Sequence, residues 1–121
     1  MKINLKAMGM EITSEISDYL HKRLSSIEKF LPTNEGSFIV DVELGRTTNH
    51  HNTGDVFRAE INLFIGGKTF RAVSEQIDLH SAIDDMKDEV TRELSSFKEK
   101  RISIVRRAGQ KFKGLFKRFY Q

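Results

Sequence analysis

The sequence lacks cysteine entirely and contains a single proline among its 121 residues. Without cysteine, the chain forms no disulfide, no thiolate zinc site and no cysteine nucleophile. No apolar stretch approaches the length of a membrane span, and the N-terminal residues do not resemble a signal peptide. We therefore expect a cytoplasmic protein. Its hydrophobic content of 38% suffices for one domain, and the chain is too short for two.

The sequence also lacks the motifs of common enzymes. It contains no glycine-rich phosphate loop and no nucleophile elbow, the sharp turn that presents a catalytic serine. We therefore predict no enzymatic activity, no cofactor and no small-molecule substrate.

Two groups of metal-binding residue types are present, and the solvated interpretation is favoured for both. His50 and His51 precede Asp55 in a polar stretch, residues 45–54, which we predict to be a flexible loop. Adjacent histidines in an extended chain point in opposite directions, and no metal-binding spacing is present. A second group can in principle hold magnesium, but its position on the outer side of a predicted amphipathic helix indicates a solvated face. This group consists of Asp84, Asp85, Asp88 and Glu89.

Negatively charged residues are scarce at the C-terminal end. Residues 1–97 hold 11 Lys/Arg and 16 Asp/Glu, a net charge of −5, whereas residues 98–121 hold 9 Lys/Arg and only Glu99, a net charge of +8. Cations at that density repel one another unless a polyanion neutralises them. The pattern therefore favours nucleic acid or an anionic membrane as a partner of the C-terminal residues, and a solubilising disordered end is the alternative.

Hydrophobic periodicity predicts a fold of the order β-α-β-β-β-α. Apolar residues alternate in four segments, which predicts strands at residues 2–8, 37–44, 55–65 and 68–73. They recur every three or four residues in two others, which predicts helices with Thr13 and Asp78 as N-caps. Pro32 should end the first helix, and Gly66-Gly67 supplies a hairpin turn. We expect an α+β fold with a four-stranded mixed sheet and both helices on one face.

The last residues, 102–121, are predicted to form a basic aromatic tail after a domain of residues 1–101, and disorder of this tail in the free protein is one expectation. On a helix, one face of the tail would carry Phe112, Leu115, Phe116 and Phe119. Three interpretations remain open. The tail binds nucleic acid through phosphates and bases, it lies on an anionic membrane, or its apolar face docks on this protein or on a second copy of it.

Three segments together resemble the ribosome hibernation promoting factors, also called ribosome-associated inhibitors. They are MEITSEISDYLHKRLSSIEKF, INLFIGGKTFRAVSE and DLHSAIDDMKDEVTREL. The resemblance covers about residues 1–100 and implies a fold like that of a double-stranded-RNA-binding domain. It also implies binding to the small ribosomal subunit between head and body, over the sites of transfer RNA and messenger RNA. Translation would be inhibited by occupancy, without bond-making.

The resemblance also nominates RNA-binding residues by position. On the first helix these are Arg23 and Lys29, with Lys22 adjacent. On the second helix Arg92 matches a family arginine, while Glu89 and Ser96 stand where lysine is frequent. The full predicted set is Lys22, Arg23, Lys29, Lys87, Arg92, Lys98, Lys100, Arg101, Arg106, Arg107, Lys111 and Lys113.

The distribution of charge distinguishes this chain from the family pattern. The chain resembles the short form, which lacks a dedicated dimerisation domain, but it has a basic aromatic tail instead of the acidic tail of some short members. We hypothesise that ribosome binding has shifted toward this tail. The alternative function is an interaction module whose basic amphipathic tail binds an anionic membrane or a protein partner, of which the membrane is the less favoured.

Overall fold

A computed structural model describes residues 2–31, 38–48 and 54–119, and for residues 48, 55 and 101–119 it describes the backbone alone. The elements follow one another in the predicted order. They are β1 (Ile3–Met8), α1 (Ser14–Leu24), a 3₁₀ helix (Ser25–Phe30), β2 (Phe38–Thr48), β3 (Asp55–Ile65), β4 (Lys68–Gln76) and α2 (Leu79–Phe119).

The four strands form one mixed sheet in the order β1-β2-β3-β4. β1 is parallel to β2, because α1 and the 3₁₀ helix return the chain to the same end of the sheet. The β2–β3 and β3–β4 pairs are antiparallel, with Val42 opposite Ile61 and Ile61 opposite Ala72. The predicted α+β architecture is thereby confirmed.

A single hydrophobic core lies between the sheet and the helices. Leu20, Leu24 and Ile27 enter it from the first helical segment, and α2 contributes Ile83, Met86 and Val90 among others. The inward residues of the strands complete the same cluster, so both helices cover one face of the sheet. The opposite face carries mainly polar and charged residues.

Both predicted N-caps are confirmed. The Thr13 hydroxyl accepts a hydrogen bond from the Ile16 amide at 3.2 Å, and the Asp78 carboxylate accepts one from the Ser81 amide at 2.8 Å. This backbone hydrogen bond, together with one from the Ser81 hydroxyl, lowers the pKa of Asp78.

Helix α2 is the longest element of the fold. Its 41 residues correspond to about 60 Å of helix at 1.5 Å per residue. Among the side chains described, Phe97 is the last on α2 to pack against the core. The helical backbone continues to Phe119, so it includes most of the predicted tail. The division of the chain at residue 101 stays a prediction.

Three predicted boundaries are wrong, and the first error has a local cause. The first α-helix ends at Leu24 instead of running to Pro32, and a 3₁₀ helix follows. There the hydroxyls of Ser25 and Ser26 donate to the carbonyl oxygens of Lys22 and Arg23 at 2.6 and 2.9 Å, which offers this backbone an alternative to the α-helical pattern.

The second wrong boundary concerns the loop predicted at residues 45–54. β2 continues to Thr48, because β3 pairs with it residue by residue and satisfies the backbone of this polar segment. His50 and His51 lie outside the described residues, as does Pro32. β4 likewise extends beyond the predicted Val73 to Gln76.

Candidate nucleic-acid interface

An open cleft lies where α1 approaches α2. It has a volume of about 370 Å³ and is lined by Tyr19, Lys22, Arg23, Ser26 and Lys87. Residues 22, 23 and 26 follow one another around the end of α1 and the first turn of the 3₁₀ helix. Lys87 faces them from α2. The fold therefore gathers three of the predicted RNA-binding cations, from two elements that are distant in sequence.

Arg23 is held in place by groups of α2 and α1. Its guanidinium lies 2.8 Å from the Asp84 carboxylate, and its Nε–H also donates to the Tyr19 hydroxyl at 3.2 Å. The Tyr19 hydroxyl in turn donates to Asp84 at 2.6 Å. This hydrogen bond, with burial in second place, raises the pKa of Tyr19 above its ordinary value. Much of the positive charge of Arg23 is consequently neutralised by Asp84 within the protein.

Lys22 is the cleft cation most available to a ligand. It is exposed, and the described part of the chain places no carboxylate within ion-pair distance of it. Lys87, by contrast, lies 3.2 Å from Asp88, with 21% of its side chain exposed. Arg92 is exposed on α2 and donates a long hydrogen bond, 3.4 Å, to the backbone carbonyl of Asp88.

The acidic residues of α2 do not form the uniformly solvated face that the sequence predicts, because two of them have structural roles. Asp84 is half-buried and joins α2 to α1 through Tyr19 and Arg23. Asp85 accepts a hydrogen bond at 2.7 Å from the hydroxyl of Ser74, which is buried in β4. Asp84 and Asp85 therefore tie α2 to two other elements. Asp88 is exposed, as predicted, whereas Glu89 is half-buried.

A second group of cations lies over aromatic rings. The ammonium groups of Lys29 and Lys98 are 5.1 and 6.0 Å from the centroid of Phe30. Lys68, at the start of β4, lies 4.1 Å from the centroid of Phe97. Lys68 was not predicted from the sequence. The alternation of β4 is the signal that locates it, because Lys68 has the same parity as the inward-facing Phe70 and Ala72.

The remaining predicted cations lie toward the end of α2. Lys100 is exposed. Five others fall in the part of α2 for which the backbone alone is described: Arg101, Arg106, Arg107, Lys111 and Lys113.

The arrangement suits the binding of an anion. Within residues 2–31, 38–48 and 54–119, no cluster of three His, Asp or Glu side chains is arranged to hold a metal ion. None of the helices in the described ranges is both long and apolar enough to span a membrane. What the described residues do offer is a set of lysines and arginines on and beside the helices, which is the chemistry of phosphate recognition.

Comparison with known proteins decides the family. The family model described as sigma 54 modulation protein / S30EA ribosomal protein matches residues 3–102. The chain belongs to this family. The resemblance noted from the three sequence segments is thereby confirmed, and the match ends close to the predicted beginning of the tail.

Curated S30EA relatives are ribosome hibernation factors. One from Picosynechococcus, a ribosome hibernation promotion factor, is 30% identical over 100 residues, which are 83% of this chain and 50% of the relative. The chain thus aligns with only half the length of that protein. A ribosome hibernation promoting factor from Klebsiella oxytoca is 27% identical over 100 residues, 83% of this chain and 96% of the relative.

Solved structures of S30EA-like proteins share the fold. The N-terminal domain of Thermus thermophilus protein Y is 28% identical with a TM-score of 0.66, over 80% of this chain and 99% of that domain. A ribosomal subunit interface protein from Coxiella burnetii has a TM-score of 0.65 at 21% identity, over 82% of this chain and 99% of its own, and supports the fold alone.

Proposed function

We propose that this S30EA family member is a ribosome hibernation factor that binds the small ribosomal subunit over the transfer-RNA and messenger-RNA sites. It inhibits translation by occupying those sites in the cytoplasm, and it performs no catalysis. The observation that best supports this proposal is the family match over residues 3–102, which includes every residue that lines the cleft.

Two properties of the cleft fit recognition of ribosomal RNA. Its cations come from two helical elements, so they are spread across a surface instead of converging on one point, as is needed to contact several phosphates. The side chains are also anchored to different degrees, since Asp84 and Tyr19 hold Arg23 while Lys22 has no described ion-pair partner. The cleft therefore combines a fixed donor with an adaptable one.

Binding is tested by co-sedimentation of the full chain with purified small ribosomal subunits across a salt series. Each neutralised phosphate contributes roughly 0.7–0.9 to the slope of log affinity against log salt. A contact through several lysines and arginines therefore predicts a steep fall. Absence of co-sedimentation even at low salt would reject the proposal.

Occupancy requires a second experiment, because binding alone does not locate the site. Small subunits are incubated with the protein before or after loading of messenger RNA and initiator transfer RNA. Mutual exclusion, with less transfer RNA bound as protein increases, is the expected result. Simultaneous binding of protein and transfer RNA at saturation would contradict occupancy of these sites while leaving ribosome association intact.

A second candidate function rests on the C-terminal part of α2. The backbone is helical to Phe119. The sequence spacing of Phe112, Leu115, Phe116 and Phe119 predicts one apolar face for such a helix. A basic helix with such a face can bind an anionic membrane or a protein partner. Flotation with anionic lipid vesicles tests binding to a membrane. If the membrane is the partner, the full chain floats with the vesicles, and a variant with all four residues replaced by serine remains at the bottom of the gradient.

A further inference from the structure

Three lysines and two phenylalanines form cation–ring contacts beside residues 97 and 98 of α2. We call this group the lysine–aromatic patch, and it consists of Lys29, Phe30, Lys68, Phe97 and Lys98. Its members come from the 3₁₀ helix, the beginning of β4 and α2. Three separate elements therefore contribute to the patch, and none of its members lines the α1–α2 cleft.

The rings position the ammonium groups. Lys68 Nζ lies 4.1 Å from the centroid of Phe97 and 5.7 Å from that of Phe70. Phe97 is fixed in turn by an edge-to-face contact with Phe70, at 5.3 Å and 67°. Lys29 and Lys98 approach the ring of Phe30 from two different elements. The negative faces of the rings attract these cations without neutralising them.

The patch is short of carboxylates. Glu28 and Glu99 are neighbours of Lys29 and Lys98 in sequence, yet the described side chains form no ion pair with any of the three lysines. In contrast, Arg23 and Lys87 in the cleft both have carboxylate partners. An ammonium group without a carboxylate partner remains available to attract an external anion.

The chemistry of the patch selects a phosphate chain as its ligand. Lysine is a compact point charge with three donors, which suits a phosphate group. Because ammonium groups already lie over both rings, the patch presents positive charge to a partner in preference to a bare ring on which a base could stack. Basic residues continue along α2 from Lys98, through Lys100 and Arg101.

We propose that Lys68, supported by Phe97, binds phosphates of ribosomal RNA, and that the lysine–aromatic patch is a second RNA contact that leads from the folded domain onto the C-terminal part of α2. This inference rests on the proposed function. It adds a residue of β4 to an interface otherwise predicted from the helices alone.

The test compares two single variants in the full chain, Lys68→Gln and Lys6→Gln. Lys6 is an exposed lysine of β1 that lines the polar face of the sheet, so it controls for a change of one unit in net charge. Affinity for purified small ribosomal subunits is measured over a salt series. We expect Lys68→Gln to bind several-fold more weakly at low salt, with a slope shallower by roughly 0.7–0.9, and Lys6→Gln to match the unaltered chain.

Two further variants separate charge from packing. Lys68→Arg keeps the charge and should restore most of the affinity, whereas Phe97→Leu keeps an apolar side chain but removes the ring and should weaken binding in the same direction as Lys68→Gln. Thermal unfolding of each variant verifies that it is folded.

The outcomes distinguish this inference from the function on which it rests. If the unaltered chain binds and Lys68→Gln binds with the same affinity and slope, the patch is not a contact, and hibernation by the remaining surface stands. Equal weakening by Lys6→Gln would also overturn the inference, because net charge alone would then explain the effect. If the unaltered chain does not bind at any salt concentration, the proposed function fails and this inference fails with it.

Discussion

The hydroxyl of Tyr19 on α1 donates a hydrogen bond of 2.6 Å to the carboxylate of Asp84 on α2. Arg23 binds the same carboxylate, and His80 of α2 packs against the Tyr19 ring in an edge-to-face contact at 4.4 Å. These contacts cross between the two helices that line the cleft. The relative position of the cleft cations therefore depends on this small polar junction as well as on the core beneath it.

Replacement of Tyr19 by Phe should destabilise the protein without disturbing its packing. The substitution removes the hydroxyl, keeps the ring against His80, and leaves Asp84 with Arg23 as its partner. Since a hydrogen bond to a charged group contributes about 1.5–3 kcal/mol and this one is partly exposed to solvent, we expect a loss of about 1–2 kcal/mol in the free energy of unfolding. Urea denaturation at pH 7 measures it, and an unchanged value would contradict a structural role for the hydroxyl.

The same variant should change the alkaline limb of the stability profile. The pKa of Tyr19 is raised in the folded state, chiefly by the hydrogen bond to Asp84. A raised pKa contributes stability that is fully present below the unfolded value of about 10 and is lost as pH rises through the folded value. The difference in free energy of unfolding between the unaltered chain and Tyr19→Phe should therefore be constant up to about pH 10 and decrease above it.

Lys22 and Arg23 are adjacent in sequence but should respond differently to replacement by Gln. Lys22 has no described ion-pair partner, so Lys22→Gln should weaken binding to small ribosomal subunits and leave the free energy of unfolding unchanged. Arg23 joins α1 to α2, with about half of its side chain exposed, and Arg23→Gln should slightly lower stability as well as weaken binding. Co-sedimentation and urea denaturation of both variants separate the two roles. A matching loss of stability in Lys22→Gln would contradict the assignment.

Local sequence signals were sufficient for the architecture of this fold. The alternation of β3, with Ala59, Ile61 and Leu63 facing inward, is confirmed by complete burial of all three. The N-caps Thr13 and Asp78 depend on hydrogen bonds within three residues, so their sequence neighbourhood determines them. Burial on one face and a cap are properties of a short segment, which is why both could be predicted.

Features that depend on distant residues could not be predicted in this way. The extension of β2 to Thr48 follows from pairing with β3, not from apolar alternation in residues 45–48. The partner of Arg23 lies 61 residues away, and no local pattern distinguishes Asp84 from its acidic neighbours. For Lys68, the alternation of β4 indicates on which face of the sheet the side chain lies. Its contact with Phe97 could not be predicted, because it depends on the packing of β4 against α2.

Gly9 and Gly67 both have a positive φ angle but differ in what surrounds them. At Gly9, with φ of +67°, an added Cβ would lie 2.8 Å from the carbonyl oxygen of Arg46, whereas at Gly67, with φ of +80°, the Cβ meets nothing within 4 Å. Gly67→Ala should therefore cost about 1–2 kcal/mol from backbone conformation alone. Gly9→Ala should cost a further ~1–3 kcal/mol because β2 backbone must shift. Chemical denaturation measures the free energy of unfolding of both variants. Equal losses would show that the contact of the added Cβ with the Arg46 carbonyl oxygen does not destabilise the fold.

Glu60 should make stability depend on acid pH. Its carboxylate, with 13% of the side chain exposed, lies 2.6 Å from Arg71 and 3.3 Å from Arg58. Desolvation raises the pKa of Glu60, but the hydrogen bond from Arg71 and the charges of Arg58 and Arg71 outweigh it, so the pKa is lowered. The resulting stability is present above the unfolded value of roughly 4.5 and is lost as pH falls through the folded value.

We therefore expect Glu60→Gln to lower the free energy of unfolding by about 1–3 kcal/mol at pH 7, with a difference that shrinks as the pH falls below about 4.5. Glu75→Gln is the matched control. Its side chain is 61% exposed and lies 3.9 Å from Arg58, so a change within about 0.5 kcal/mol is expected. Denaturation at a series of pH values measures both variants. A Glu60→Gln difference that stays constant down to pH 2 would contradict the lowered pKa.

The basic C-terminal part of α2 provides the sharpest test of where ribosome affinity resides. Residues 98–121 carry a net charge of +8, against −5 for residues 1–97. Replacement of Arg106, Arg107, Lys111 and Lys113 by Ala should therefore weaken binding to small ribosomal subunits more than replacement of Lys22 and Lys29 by Ala. The salt slope should also decrease more, by roughly 0.7–0.9 for each phosphate contact that is lost.

A control for this comparison must keep the number of removed charges equal. A double variant, Lys111→Ala with Lys113→Ala, matches the Lys22 and Lys29 pair in charge, so a difference between the two pairs reflects position alone. Alanine also retains high helix propensity, which keeps the helical backbone of α2 favourable. If the Lys22 and Lys29 pair weakens binding more than the C-terminal pair, affinity resides in the folded domain, and the hypothesis of a shift toward the C-terminal residues is wrong. If the C-terminal pair has the larger effect, this chain uses the extended part of α2 as its main phosphate contact.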